Sequence, residues 1–263
     1  MAINNYNQAL YSLNEIFCQV PSDFNIHVQH KVSDKGIYNY SFNRDSIPEL
    51  CDLIMTPQVY EVGDVYVGIN PRVTKTNHLS PNMQEPAGIA VLCAEIHVIQ
   101  PQLLPLDYTR LCKMACMQLF PPSFLINTSP NQLFSVWCLD EFWERTPENI
   151  SLMDNFLDAF QCDFQEIFYG YRVEPVRDLM KTINIPGTMN RQNPENHFLV
   201  HLCALDGSQI VPSTLDSIYQ PVRRYSLEEF LDTMTSMVQA DIDEEMREFT
   251  VLQKECIQID CPS

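Results

Sequence analysis

Apolar and polar positions along the chain follow two periods, and their alternation predicts a mixture of helices and strands. Helical spacing is clearest in the stripe of Leu10, Leu13 and Phe17, which ends at Pro21. The most apolar stretch, Gly88–Ile99, is long enough to be the central strand of a sheet. The predicted helices cover residues 4–20, 48–55, 107–120, 147–160 and 173–183, with a further helix from Ser226. The predicted strands are a hairpin within 24–43 and the segments 65–71, 88–99, 124–127, 133–139 and 197–205.

The order of these elements indicates the fold class. Strands and helices alternate irregularly, with hairpins between some strands, which favours an α+β or mixed α/β fold over a doubly wound parallel sheet. We expect a core over residues 1–224, in which helices flank a central sheet, and an acidic helical appendage over residues 225–263. The appendage begins with Ser-Leu-Glu-Glu at Ser226, a capping box that opens a helix.

The composition is that of a soluble globular protein, with 45% hydrophobic and 19% charged residues among 263. The sequence has no run of about eighteen apolar residues and begins without a basic and apolar leader. We therefore expect no membrane span, no secretion, and an intracellular location, in the cytoplasm or at a nuclear or viral replication site. The ten cysteines are scattered, which is typical of reduced, buried thiols.

The net charge changes the expectation about partners. The chain has 34 acidic residues against 16 lysines and arginines, a net charge of −18. DNA binding rests largely on cations that neutralise phosphates. This composition disfavours affinity for naked DNA and would suit a basic partner protein.

The predicted central strand carries a polar pair. Glu95 and His97 are two residues apart, so they share one face of the sheet. A polar pair on an apolar strand requires partners because unpaired burial is costly. The two residues either form a structural hydrogen-bonded pair or contribute to a divalent-metal site, for which carboxylate with imidazole suits manganese or zinc better than magnesium.

The stretch from Ile183 to Asn193 predicts a tight loop. Its sequence is Ile-Asn-Ile-Pro-Gly-Thr-Met-Asn-Arg-Gln-Asn, where Pro186 fixes φ and Gly187 allows a positive-φ turn. Exposed backbone N–H groups, amides and an arginine in such a loop can hold phosphate. An ordinary surface turn is the alternative.

Four segments in this order resemble the archaeo-eukaryotic primase superfamily, most closely its plasmid- and virus-type primase-polymerases. Cys93-Ala94-Glu95-Ile96-His97-Val98 stands where the family has Ala-Asp-Ile-Asp-Val. Ser129 and Trp137 match the first and last residues of the family's Ser-Gly-x-Gly-x-His-x-Tyr-Trp hairpin. Asp178 then precedes residues 184–192, which correspond to the family's Arg-x-Pro-Gly-Thr-x-Asn-x-Lys.

The resemblance, which spans roughly residues 60–230, implies roles for individual residues. Catalysis and metal binding, with Mg²⁺ or Mn²⁺, fall to Glu95, His97 and Asp178. Nucleotide binding falls to Ser129, Asn131, Lys181, Thr188, Asn190, Arg191 and Arg72. The partners implied are a nucleotide and a DNA template.

Departures from the family pattern imply that nucleotidyl transfer is reduced or lost. His97 replaces the second acidic residue, and Phe134 replaces a histidine that contacts triphosphate. Asn184 and Gln192 stand at two cationic positions. The first hypothesis is therefore a primase-polymerase-like protein of DNA replication in a plasmid, virus or mobile element. The alternatives are a catalytically silent module that contacts a replication or nucleic-acid-processing protein, and an acidic decoy that mimics DNA.

Overall fold

A computed structural model of the protein describes residues 2–33, 35–73, 85–98, 121–163, 166–168, 171–193, 195–203 and 222–235. The fold is mixed α+β, as the sequence predicts. The helices are α1 (Ala2–Phe17), α2 (Ile47–Ile54), α3 (Pro57–Tyr60) and α4 (Ile150–Asp163). The strands are β1 (Ile26–Val32), β2 (Gly36–Phe42), β3 (Asp64–Gly68), β4 (Gly88–Val98), β5 (Phe124–Ser129), β6 (Gln132–Glu144), β7 (Glu166–Phe168), β8 (Tyr171–Pro175), β9 (Thr182–Asn184), β10 (Met189–Asn190), β11 (Phe198–Leu199), β12 (His201–Cys203) and β13 (Arg224–Tyr225).

The larger sheet is built around β4. Its strand order is β12-β5-β6-β4-β8-β7, and β13 pairs with β6. The pairs along this order are antiparallel, whereas β13 runs parallel to β6. Residues 88–96 of β4 are buried on both faces, and a strand of such residues belongs in the middle of a sheet. The prediction of a central strand is confirmed.

The predicted hairpins are also present. β1 and β2 pair antiparallel from Ile26 opposite Phe42 to Val32 opposite Gly36. They form the edge of a smaller sheet of order β2-β1-β3-β9. β5 and β6 form the second hairpin, which turns at Pro130 and Asn131.

Apolar side chains fill both sides of β6. On one side, Val136 and Cys138 belong to a cluster that includes Leu13 of α1 and Leu50 of α2. On the other side, Trp137 is fully buried, and its ring meets Phe160 of α4 edge-on with 6.0 Å between ring centroids. Trp137 is therefore a core residue of this sheet.

One predicted element is wrong in type and another is interrupted. The segment 173–183 is not a helix: β8 pairs with β4, and β9 pairs with β3. Pro175 lacks an N–H and disfavours helical geometry in the residue before it. The predicted strand 197–205 is interrupted at Val200, whose backbone hydrogen-bonds to Gly187 and Thr188 instead of to a neighbouring strand. The predicted helix 107–120 lies outside the described residues.

The chain divides into two units, Met1–Ser226 and Leu227–Ser263. The first holds all of the labelled helices and strands, and the second begins with helical residues 227–235. The predicted appendage also contains an acidic stretch, Asp-Ile-Asp-Glu-Glu at residues 241–245, which lies outside the described residues. Within the described ranges, no helix has the length and apolar character needed to span a membrane.

Candidate functional site

The first candidate region is a cleft of about 740 Å³ beside β4, which we call the charged cleft. It is lined by Pro86, Glu95, Arg145, Asp154, Leu157, Gln161 and residues 174–181. Two of the three acidic or imidazole residues predicted from the sequence, Glu95 and Asp178, therefore line one cleft. The third, His97, joins them through a hydrogen bond to Glu95.

Strand register places the partners of Glu95 and His97. Gln132 of β6 and Arg172 of β8 lie opposite His97, and Glu174 lies opposite Glu95. Directly opposite residues in antiparallel strands share a face of the sheet. The polar pair of β4 therefore meets polar side chains on both neighbouring strands.

Glu95 is almost fully enclosed by donors. Its Oε1 forms an ion pair with Nζ of Lys181. Its Oε2 lies 2.8 Å from Nε2 of His97 and accepts a hydrogen bond of 3.0 Å from Nε2 of Gln132. Burial by itself raises the pKa of Glu95, but the hydrogen bonds from His97 and Lys181 outweigh it and hold that pKa at about 2. The carboxylate is thus ionised and its charge is balanced inside the protein.

A second carboxylate extends this network along β8. Glu174 Oε2 lies 3.8 Å from His97 Nε2 and 3.2 Å from Nη2 of Arg172. Arg177, another cation of the cleft, forms an ion pair with Asp158 of α4. Ion pairs within the protein therefore use the charge of both Lys181 and Arg177.

Asp178 stabilises the turn that precedes and positions Lys181. Its Oδ1 accepts a hydrogen bond of 2.8 Å from the backbone N–H of Met180, and its carbonyl accepts one of 3.0 Å from that of Lys181. Asp178 also acts on the buried Arg72. Burial lowers the pKa of Arg72 to about 10, and the negative charge of Asp178 opposes that shift.

The donor set of the charged cleft does not fit a divalent metal ion. A metal ion at this position would need free carboxylate oxygens, whereas both oxygens of Glu95 face nitrogen atoms of Lys181, His97 or Gln132. Among the residues that the structure describes, no three His, Cys, Asp or Glu side chains are arranged to hold a metal ion. The ammonium group of Lys181 already neutralises the carboxylate of Glu95.

The second candidate region, which we call the amide pocket, has a volume of about 310 Å³. It is lined by Ser129, Pro130, Asn131, Asn190, Gln192, Asn193, Asn196 and Phe198. Ser129, Asn131 and Asn190 are three of the residues to which the sequence resemblance gives nucleotide binding. The turn between β5 and β6 and the loop around β10 and β11 bring them together.

The loop 183–193 is fixed by bonds within the protein. Gly187 has φ +87°, and a Cβ at this position would lie 2.1 Å from the carbonyl oxygen of Asn5 in α1. Thr188 is buried, and its hydroxyl donates to the carbonyl of Ile185 at 2.7 Å. Asn190 donates to the carbonyl of Thr128 at 2.7 Å. Only glycine fits at position 187 because both the dihedral angle and the space exclude a side chain.

Arg191, to which the resemblance also gives nucleotide binding, contacts the backbone. Its guanidinium donates to the carbonyl oxygens of Gly63 and Tyr60, each at 2.6 Å. Its own backbone N–H donates to Asp64 at 2.6 Å. These contacts hold the loop against β3 and the residues before it.

Sequence reasoning missed several site residues. Gln132, Arg172 and Glu174 complete the network around β4, but their contribution depends on which strands pair with β4. Asn193, Asn196 and Phe198 complete the amide pocket. The density of amide residues from Asn190 to Asn196 was the available signal.

No protein-family model matches the sequence, and neither does any curated protein. Among solved structures, the chain is similar to primase RepB′, at 14% identity and a TM-score of 0.43, over 94% of this chain and 69% of that one. The catalytic domain of primase RepB′ in complex with initiator DNA gives 13% identity and a TM-score of 0.42, over 91% of this chain and 98% of that one. The AEP domain of the cyanophage S-2L primase-polymerase gives 9% identity and a TM-score of 0.44, over 79% of this chain and 94% of that one.

Proposed function

We propose that this protein is a primase-polymerase-like component of DNA replication in a plasmid, virus or mobile element, with reduced or lost nucleotidyl transfer. The order of the four motifs supports the first part of this proposal. The chemistry of the charged cleft supports the second. It would act inside the host cell, where templates and nucleotides are available.

The observation that carries the proposal is the ion pair between Lys181 and Glu95. Phosphoryl transfer depends on positioned cations that stabilise negative charge on the phosphates, and on carboxylates that hold metal ions. Here the carboxylate and the cation satisfy each other, and His97 and Gln132 use the remaining oxygen. Because the two groups neutralise each other, little net charge is left to stabilise a transition state.

Primer synthesis and primer extension on a single-stranded template test this proposal. With purified full-length chain, we expect no product with Mg²⁺ and at most a trace with Mn²⁺, which accepts imidazole ligands more readily. Glu95→Ala should remove any trace, whereas Asn155→Ala, an exposed position on α4 that lines neither region, should leave it unchanged. Robust synthesis with Mg²⁺ that disappears in Glu95→Ala would establish the chain as an ordinary polymerase.

The net charge favours a second candidate function, a catalytically silent module that contacts a basic replication or nucleic-acid-processing protein, in the manner of a DNA mimic. A net charge of −18 repels nucleic acid and attracts basic surfaces. The test is binding of the chain to single-stranded DNA at physiological salt, where this function requires negligible affinity. Tight, salt-sensitive DNA binding requires an exposed cationic surface. Such binding would therefore exclude the DNA-mimic function.

A further inference from the structure

We propose that the amide pocket binds the base of a nucleoside or nucleotide and leaves the sugar and any phosphate in solvent. The choice of a base over another polar ring rests on the proposed function, and adenine is the base that the chemistry of the pocket favours. Loops of this kind hold the phosphate of a nucleotide, whereas the amide pocket would hold the uncharged ring of the base.

The lining of the pocket is polar but uncharged. It contains five side-chain amides, one hydroxyl, one proline and one aromatic ring. Each amide offers both a donor and an acceptor. Asparagine and glutamine pair with the N6 and N7 edge of adenine through two hydrogen bonds.

Some of these polar groups are engaged and form the frame of the pocket. Asn190 donates to Thr128, and its Oδ1 accepts from the backbone N–H of Gln192 at 3.0 Å. Gln192 donates to the hydroxyl of Tyr66 at 3.0 Å. These bonds hold Asn190 and Gln192 in place, so that a ligand meets a rigid surface.

Other groups remain available to a ligand. The side chains of Asn131 and Asn196 are exposed and make no hydrogen bond to another residue in the part of the chain that the structure describes. The hydroxyl of Ser129 accepts a bond of 3.3 Å from the backbone N–H of Asn131, and its proton remains free to be donated. Two amides and a hydroxyl are enough to read the edge of one base.

The pocket is unsuited to phosphate. None of its eight lining residues is a lysine or arginine. The nearest arginine in sequence, Arg191, donates to the carbonyls of Gly63 and Tyr60. Glu195 adds an exposed carboxylate to the same loop. An anion would gain no charge-assisted bond here and would be repelled by the net charge of the protein.

Size and stacking point to a single base. A volume of about 310 Å³ lies at the small end of ligand sites. Phe198 is half-buried in the wall, and its ring centroid lies 5.6 Å from that of His201. Aromatic side chains of this kind stack on bases irrespective of sequence.

The inference is tested by titrating the full chain with adenosine, ATP and ribose 5-phosphate, followed by calorimetry and by the side-chain amide signals in NMR. We expect adenosine to bind, ATP to bind no more tightly than adenosine, and ribose 5-phosphate not to bind. Asn131→Ala and Asn196→Ala should each weaken adenosine binding about tenfold, the usual size of one lost hydrogen bond. Asn155→Ala should change nothing. Asn131 and Asn196 are both exposed, and circular dichroism checks that their variants remain folded.

Two results would overturn the inference: no binding of adenosine, or binding of ribose 5-phosphate that Asn131→Ala and Asn196→Ala reduce. Failure of the proposed function is seen separately, because robust Glu95-dependent synthesis with Mg²⁺ would refute reduced transfer whether or not adenosine enters the amide pocket. Glu95→Ala serves as a second control here and should leave adenosine binding unchanged.

Discussion

Two adjacent residues, Gln132 and Asn131, serve different regions: Gln132 contacts Glu95 of the charged cleft and Asn131 lines the amide pocket, and the two regions use polar groups in opposite ways. Gln132 donates to Glu95 and helps to complete a closed network of charges. Asn131, one residue earlier, turns an exposed amide towards the other region. In the charged cleft, Lys181 and Arg177 form ion pairs within the protein, whereas in the amide pocket the neutral side chains of Asn131 and Asn196 remain available.

This difference teaches that residue type does not by itself define a site. Lysine, glutamate and histidine at the right spacing suggest catalysis, yet Lys181 neutralises Glu95 and His97 shares its oxygen. Asparagine and serine suggest an ordinary turn, yet they line a pocket with free donors and acceptors. What a region of this protein can bind depends on which of its polar groups are not already bonded within the protein.

The largest effect should come from the core that supports both regions. Trp137→Ala removes a fully buried ring from β6 and should lower the free energy of unfolding by about 3–5 kcal/mol. Urea unfolding followed by circular dichroism measures this change. Leu152→Ala, on the exposed side of α4, is the control and should stay within about 0.5 kcal/mol of the parent. A similarly small change for Trp137→Ala would mean that β6 does not form the core of the sheet.

The next effect should separate the two regions. Gly187→Ala places a Cβ 2.1 Å from Asn5 O at a φ of +87°, and should destabilise the protein by more than about 2 kcal/mol. Because the loop carries Asn190, adenosine binding should weaken while the pKa of Glu95 stays low.

Gly36→Ala is the matched control for Gly187→Ala. Gly36 also has a positive φ, +96°, but an added Cβ would meet nothing within 4 Å. It should cost only about 1 kcal/mol, the strain of the dihedral angle alone. Equal costs for the two variants would refute the close approach of α1 to the loop.

As the pH falls, protonation linked to His27, which lies in neither region, should lower the stability of the protein before Glu95 does. Burial, followed by the positive charge of Arg72, lowers the pKa of His27 to about 4 from 6.5. The unfolded chain therefore takes up a proton between pH 6.5 and 4 that the folded chain refuses, and stability falls as the pH drops through this window. Between pH 7 and pH 5 the contribution of His27 to this loss should be about 2 kcal/mol, and His30, whose pKa is also lowered by burial, adds to it.

Unfolding of His27→Leu at the two pH values checks this assignment. Neither ring nitrogen of His27 has a hydrogen-bond partner among the described residues, so leucine strands no polar group. The variant should lose about 2 kcal/mol less than the parent between pH 7 and pH 5. His197→Leu, at an exposed histidine, should behave like the parent. Glu95 contributes at lower pH: its stabilisation is lost as the pH falls from 4.5 towards about 2, and the amides do not titrate.

The smallest effect on stability should come from Lys181→Met, which tests the closed network directly. Without the ammonium group, burial should dominate and raise the pKa of Glu95 from about 2. The side-chain carboxyl signal of Glu95 in an NMR titration reports this shift. Lys31→Met, on the exposed part of β1, should leave it unchanged. A pKa of Glu95 that stays near 2 in Lys181→Met would show that His97 and Gln132 hold the charge alone.

The sequence was sufficient for the fold where periodicity was strong. The apolar run of β4, the alternation in β6 and the stripe of α1 each predict the element observed. It was insufficient at 173–183, where apolar residues at helical spacing compete with Pro175 and with pairing to β4 and β3. Strand pairing over long sequence distances overrides local periodicity.

For the candidate site, the sequence indicated residues but not their contacts. The spacing of Glu95 and His97 placed them on one face, and the hydrogen bond between them follows from that. The ion pair with Lys181 could not be predicted because it requires the turn at Asp178, in a segment whose type was predicted incorrectly. Arg191 illustrates the same limit, since its donors reach carbonyls of residues 60 and 63, well over one hundred positions earlier.

The contacts of α1 set the order in which this helix is fixed during synthesis. It is held by Gly187 against Asn5, by a hydrogen bond from the backbone of Leu202 to Gln8, and by Arg224 on Glu15. All three partners are synthesised well over one hundred residues after α1. At about 5–20 residues per second, these contacts form on the order of ten seconds or more after the helix is made, whereas its apolar stripe can pack on α2 much earlier. The helix α1 is therefore held first by apolar packing and only later by these three partners, and a nascent chain that stops before Arg224 lacks the ion pair with Glu15.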